Sequence, residues 1–230
     1  MTLDLTRGTP WKGALRFALP LLLGNLLQQL YNTADTIIVG NYVSDRALSA
    51  VGSCTSLTML FTALALGFSI GAGVLVAQYF GAQKLDEVRR IASTSIVLFL
   101  ALGAGMSVLG VVLTRPLLAG LLQTPEALLE MAVTYFMIYA AGLIFQFGYN
   151  ITAAILRAIG DSKATLYFLF ASSLLNVVLD LLLVAVVKMG VAGAAVATVF
   201  SQLLSCVLSF WYMHKKYEFL RFSPRELRFE

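Results

Sequence analysis

The sequence predicts an all-α membrane protein, a six-transmembrane-helix bundle with both termini on the cytoplasmic side. Three observations predict it. The 230 residues are 59% hydrophobic and 12% charged, with a mean hydropathy of +0.85, whereas a soluble domain carries about 25% charged residues. Apolar stretches of membrane-crossing length recur with only short connections between them, and about 20 apolar residues suffice for one crossing. Lys and Arg cluster on alternate connections, 13 on one side against three on the other. The positive-inside rule gives the richer side to the cytoplasm.

The elements follow in order. A cytoplasmic N-terminal segment, 1–13, holds Arg7 and Lys12 and leads into a transmembrane lobe spanning 14–213. Its first span covers about 14–41 and is too long for a signal peptide, so it is expected to stay in the mature chain. Pro20 lies inside this span, where it removes a backbone hydrogen bond and makes a bend or hinge. The second span, about 47–79, contains Gly67 and Gly71 as a GxxxG pair, read as a close-packing surface. The third covers about 86–113. The fourth, about 125–156, carries Tyr135, Tyr139 and Tyr149, which suit either a cavity wall or helix packing. The fifth and sixth cover about 163–187 and 190–213, the latter opening with the small residues Gly190, Gly193, Ala194 and Ala197.

The connections fix the orientation. Lys84, Arg89 and Arg90, then Arg157 and Lys163, join the N-terminal segment and a basic tail, 214–230, on the cytoplasmic side. Arg46, Arg115 and Lys188 lie opposite. Asp161, in the turn Gly160-Asp161-Ser162-Lys163, suits a helix cap or loop contact. Trp11, Trp211, Tyr212 and Tyr217 flank the cytoplasmic face and read as interfacial anchors, as does the single histidine, His214. Cys54 and Cys206 lie within spans without metal-ligand spacing and read as small packing residues. The net charge of +4 sits on the inner face, where it orients the protein against the lipid bilayer and calls for no nucleic-acid partner.

Two carboxylates, Asp35 and Asp180, lie within apolar spans whose only basic residues, Arg16 and Lys163, sit at the far ends and do not neutralise them. Each costs roughly 3 kcal/mol at bilayer depth, which makes an intramembrane acid a functional-site hypothesis. Polar residues accompany them at helical spacing: Asn25, Gln28, Asn32 and Asp35 on the first span, Ser173, Asn176 and Asp180 on the fifth, Thr198, Gln202 and Ser205 on the sixth. Facing lipid, each stripe would be expensive, so all three are expected to face the bundle interior or a watery cavity. At 1.5 Å per residue, Asp35, Asp180 and Thr198 fall roughly 9, 10 and 12 Å from the outer ends of their spans, within one slab. Carboxylate, amide and hydroxyl oxygens suit a hard monovalent cation, and two nearby carboxylates suit a proton. For the hydroxyl and amide groups, hydrogen bonding between helices stands as the competing reading.

Five segments, in order and spacing, carry a resemblance. They are Gln28-Gln29-Leu30-Tyr31-Asn32-Thr33-Ala34-Asp35 to Gly40, then Gln78-Tyr79-Phe80-Gly81-Ala82. Arg157-Ala158-Ile159-Gly160-Asp161 follows, with Asn176 to Asp180 and Gly193-Ala194-Ala195-Val196-Ala197-Thr198. In these the chain resembles the multidrug and toxic-compound extrusion (MATE) transporters, within the wider group that includes lipid and oligosaccharide flippases. The resemblance implies a cation-coupled antiporter that exports organic, often cationic, compounds against Na⁺ or H⁺ entry, with no cofactor beyond that ion. It also implies a cation site, a metal site if Na⁺ is the ion, formed by Asp35, Asn176, Asp180 and Thr198, with a backbone carbonyl near Ala194. Pro20 matches the family's bending proline. Gln28, Asn32, Tyr139 and Gln202 are the accompanying cavity candidates.

Two departures accompany the resemblance. In the cytoplasmic motif Ala158 replaces a glycine and Thr165 stands where a proline is expected, which bears on the loop alone. Family members carry two six-helix lobes, whereas this chain covers one and closes in a tail resembling an interlobe linker. A second lobe is therefore expected as partner, from a homodimer mate related by an axis along the membrane normal or from a C-terminal half.

The sequence thus reads as one lobe of a cation-coupled exporter of organic compounds, not an enzyme, in a plasma membrane of bacterial inner-membrane type. A lipid-linked oligosaccharide flippase lobe is an alternative, which basic residues in the central cavity would favour; the spans show none away from their ends. A non-transporting assembly subunit is another. An intramembrane aspartyl protease would also use two aspartates, but Asp35 and Asp180 follow Ala34 and Leu179 rather than that class's Tyr-Asp and Gly-x-Gly-Asp contexts.

Overall fold

The computed structural model describes the backbone of residues 10–221, without the side chains of 10–17, 20, 21 and 25. The described chain is helical throughout, in seven α-helices: α1 (Pro10–Tyr42), α2 (Asp45–Gly81), α3 (Leu85–Pro116), α4 (Glu126–Ala141), α5 (Leu143–Ala158), α6 (Ser162–Asp180) and α7 (Val191–Lys216). Short π-helical turns, Leu117–Leu121 and Leu181–Val186, extend α3 and α6. The predicted spans match these helices closely, with one difference. The fourth is two helices, α4 and α5, bent by 45°. Among the described residues four helices are long and apolar enough to cross a membrane, or five with the bent pair as one span.

Local chemistry sets the boundaries. Ser44 caps α2 by accepting from the Ala47 amide at 3.1 Å, satisfying one of the orphan donors of the first turn. Asp161 caps α6 in the same way, accepting from the Ala164 amide. The turn before it needs Gly160, whose φ of 87° is disfavoured for residues with a Cβ. Asp86 and Glu87 open α3, and His214, Lys215 and Lys216 close α7, each complementing the helix dipole.

Close backbone approach explains the break in the fourth span. A Cβ on Gly142 would lie 2.5 Å from Val199 Cγ2 of α7, and one on Gly103 of α3 would lie 2.9 Å from Ile144 Cα. The junction is thus pressed between α3 and α7, and the Ile144 amide donates to Ser107 Oγ of α3 at 3.1 Å. That hydrogen bond satisfies a backbone donor freed by the bend, as a non-aqueous surrounding requires. α5 then runs through the middle of the lobe against α2, α3 and α7, while α6 lies between α1 and α7.

Two expectations need correction. Gly67 and Gly71 are exposed, and neither would bring a Cβ within 4 Å of another group. α2 instead turns Ala65, Ser69 and Val76 inward, so the GxxxG pair lies on its outer face. Tyr217 is buried rather than an interfacial anchor. It and Tyr212 hydrogen-bond Asp161 beneath the bundle. Trp211 is exposed, beneath the Lys215 ammonium at 4.8 Å. Pro20 lies within α1, but its side chain, like those of Trp11 and Asn25, is outside the described residues.

Large apolar side chains cover the outer surface, among them Leu30, Ile70, Val112, Val186 and Phe200, all more than half exposed. A surface of that kind is untenable in water and natural against lipid tails or another apolar protein.

Candidate functional site: a polar cavity between α1, α5, α6 and α7

Three helices carry the polar stripes to one place. A cavity of about 510 Å³ is lined by Gln28, Asn32 and Asp35 of α1, Asn176 of α6, and Thr198 and Gln202 of α7. Tyr135 and Tyr139 of α4 and Tyr149 of α5 complete its aromatic wall. The sequence left cavity and packing open for these tyrosines. They do both: all line the cavity, and the Tyr135 and Tyr139 rings stack at 6.5 Å.

Asp180 lies behind the cavity wall with no exposed surface, one turn along α6 from Asn176. It faces Asp35, near enough for the two carboxyls to interact, across the contact between α1 and α6. No hydrogen bond within the described residues reaches either Asp180 oxygen, Asp35 Oδ1 or either polar atom of the Asn176 amide. Ser173 Oγ and Gln202 Oε1 are in the same condition. Buried polar atoms ordinarily have partners, because leaving one without costs about 1–3 kcal/mol. Orphaned atoms gathered in this way, most of them oxygens, mark a place able to receive a cation or a proton.

Thr198 has a different status. Its hydroxyl donates to the Ala194 carbonyl at 3.0 Å, leaving the oxygen free to act as a ligand. Ala194 is fully buried within α7, and its carbonyl accepts from the Thr198 hydroxyl as well as from the Thr198 amide of the helix, so it can serve an ion only once that hydroxyl turns away. Asp180 joins α6 to the π-helical turn at Leu181, a local widening that often accompanies functional positions. The described residues contain no group of three or more His, Cys, Asp or Glu that could hold a metal ion. The donor set of two carboxylates, an amide and a hydroxyl is oxygen-rich, as hard cations prefer.

A hydrogen-bonded chain beside this cluster escaped the sequence reading. Tyr139 donates to Gln146 Oε1 at 3.1 Å, Gln146 Nε2 donates to Thr62 Oγ1 at 2.8 Å, and Thr62 donates to the Thr58 carbonyl. It ties α4, α5 and α2 across the bend. Gln146 and Asn150 sit four apart within an apolar span, a signal that was available.

Arg157 is the second omission and a correction. The sequence ends the fourth span at about 156 and places this residue in the connection that follows. α5 continues to Ala158 and Arg157 lines the same cavity.

A further polar cluster joins the start of α6 to the end of α7. Asp161 Oδ2 accepts from Lys216 Nζ at 2.8 Å, Tyr217 OH at 2.6 Å and Tyr212 OH at 2.9 Å, while Oδ1 accepts from the Ala164 amide. Burial pushes the Asp161 carboxyl up, but the hydrogen bonds from Lys216, Tyr217 and Tyr212 outweigh it and hold the group below the ordinary carboxylate value.

Comparison with known proteins decides the family. Residues 20–182 match the MatE family model. The chain belongs to the MatE family. It is 33% identical over 99% of its length to the probable multidrug resistance protein YpnP of Bacillus subtilis, covering 51% of that protein. Two solved structures of MATE, in the bent and the straight conformation, match with TM-scores of 0.90 and 0.89 at 28% and 29% identity. The MatE chain covers 99% and 100% of itself and 51% of each structure in these two matches. It thus spans about half the length of the curated relatives it matches. As a member of this family it is an integral membrane protein.

Proposed function

We propose that this MatE chain is one lobe of a cation-coupled exporter of organic, cationic compounds, with six membrane crossings and both termini cytoplasmic. α1 supplies the first crossing; its 33 residues reach roughly 50 Å as a helix, longer than a bilayer. Na⁺ or H⁺, as transported ion, binds among Asp35, Asn176, Asp180 and Thr198, with Ala194 contributing its carbonyl. The carrying observation is the set of buried oxygens on Asp35, Asn176 and Asp180 that have no partner beside a cavity of about 510 Å³.

A cation there cancels the repulsion between two facing carboxylates and so draws α1 towards α6. Coupling follows if the two states of the lobe bind the cation with different affinity. The bent and straight conformations of the similar structures supply a candidate pair of states, with Pro20 in α1 as the bending point. Half coverage of the relatives calls for a second lobe, a homodimer mate or a C-terminal half, to close a substrate cavity. The expected location is a bacterial inner membrane.

Efflux of a fluorescent cationic dye from cells expressing the chain, alone and with a second lobe, tests this reading. Export driven by a Na⁺ or H⁺ gradient and lost in both Asp35→Asn and Asp180→Asn is expected. Export and cation dependence intact in both variants would overturn it.

A further inference from the structure

We infer that the cytoplasmic end of the cavity is an anion-recognition subsite built on Arg157, which receives the carboxylate or phosphate of an amphiphilic ligand. This rests on the proposed exporter function, with the cavity taken as this lobe's share of the substrate space, and adds a ligand class opposite in charge to the one the carboxylates select.

The cavity has two chemically unlike ends. Asp35 and Asn176 line one end and Arg157 the other. The distance between them follows from three helices independently. Gly24 to Asp35 on α1, Gln146 to Arg157 on α5, and Thr165 to Asn176 on α6 are all cavity-lining pairs eleven residues apart, or roughly 16 Å. At that separation Arg157 does not neutralise the two aspartates.

Nothing else described neutralises Arg157. Its guanidinium makes no hydrogen bond or ion pair with another described residue, and it is half-buried. Asp161, four residues on, is already taken by Lys216, Tyr212 and Tyr217. The last turn of α5 offers its carbonyl ends to a cation, which helps Arg157 to sit there while leaving its planar fork of donors facing the cavity. Tyr149, whose ring lies beside it, donates to the Thr165 carbonyl at 3.4 Å and forms one wall. Leu166 and Leu169 of α6 form another, apolar wall. A positive fork at the end of a slot with apolar and aromatic sides matches an amphiphile with an anionic head.

The test uses the purified full chain and two rhodamine dyes that differ in one group, a free carboxylic acid and its ethyl ester, with binding read by fluorescence polarisation. The acid is expected to bind at least about tenfold more tightly than the ester, the scale of a charge-assisted hydrogen-bond pair. Arg157→Gln is expected to abolish that preference with ester binding retained, and Arg157→Lys to keep part of it. The conservative variant and the ester together separate loss of recognition from loss of fold. Equal binding of acid and ester, a preference that survives Arg157→Gln, or binding of neither dye would overturn the inference. Displacement of the acid by dioctanoyl phosphatidylglycerol but not by dioctanoylglycerol would assign the subsite to a lipid headgroup; displacement by neither would assign it to a soluble organic anion. The same assay in Asp180→Asn reads the cation site separately. Loss of the Na⁺ or pH dependence of ester binding there, with the acid preference unchanged, supports both readings. Dye binding without any cation dependence in the unaltered chain contradicts the coupling and leaves the Arg157 result to stand alone.

Discussion

Two buried aspartates of this lobe occupy opposite conditions. Asp161, capping the start of α6, accepts from three side chains and one backbone amide. Asp180, at the opposite end of α6, is fully buried and accepts from nothing described. Both are carboxylates against α6, so residue type and burial do not separate them. Saturation does. A carboxylate whose lone pairs are filled by the protein holds the protein together, whereas one left open at a cost of several kcal/mol is held open by the rest of the fold for something else. Stability and function are commonly opposed in this way.

The contrast can be broken most sharply by exchanging stability effects. Asp161→Ala is expected to destabilise the lobe by about 2–4 kcal/mol, since it orphans a buried tyrosine hydroxyl and an ammonium together. Asp180→Asn is expected to leave stability unchanged or to raise it, because it removes an unpaired buried charge. Thermal unfolding of both variants in detergent checks this, and equal destabilisation would dissolve the distinction.

A smaller effect probes the junction that frames the cavity. Gly142→Ala sets a methyl 2.5 Å from Val199 Cγ2 and is expected to cost about 1–3 kcal/mol, as overpacking does. Val199→Ala in the same chain should restore much of it. Gly71→Ala is the matched control: nothing lies within 4 Å, so the change should be neutral or stabilise by up to about 1 kcal/mol through helix propensity.

The smallest effect is in pH. The folded Asp161 value lies below the ordinary one near 3.9, so its contribution is fully present above about pH 4 and is lost as pH falls through the folded value. Thermal stability measured from pH 6 downwards should therefore show a decline below about pH 4 that is weaker in Asp161→Asn.

Much of this was legible because charge in an apolar run is costly and therefore conspicuous. Spacing and depth single out Asp35, Asn176, Asp180 and Thr198 as candidates, and the structure brings their helices together around one cavity. The helix limits followed from hydropathy, and Asp161 as a cap followed from its turn. Other features left no comparable mark. The bend at Gly142 depends on Val199, 57 residues away, and an apolar run looks the same whether straight or broken. The π-helical turn after Asp180 has no sequence signature. Arg157 follows the end of the apolar run, where hydropathy does not show that α5 continues to Ala158. The reading of Gly67 and Gly71 failed because spacing shows that two small residues share a face, without showing which way the face turns.

The measurement that bears most directly on the central claim is cation binding to the purified chain, with ²²Na⁺ uptake and proton release recorded in one titration. Saturable Na⁺ binding, or proton uptake in its place, that disappears in both Asp180→Asn and Asp35→Asn but persists in Asp161→Asn is the predicted result. Binding of neither ion, or binding that survives the loss of both Asp35 and Asp180, would contradict the account.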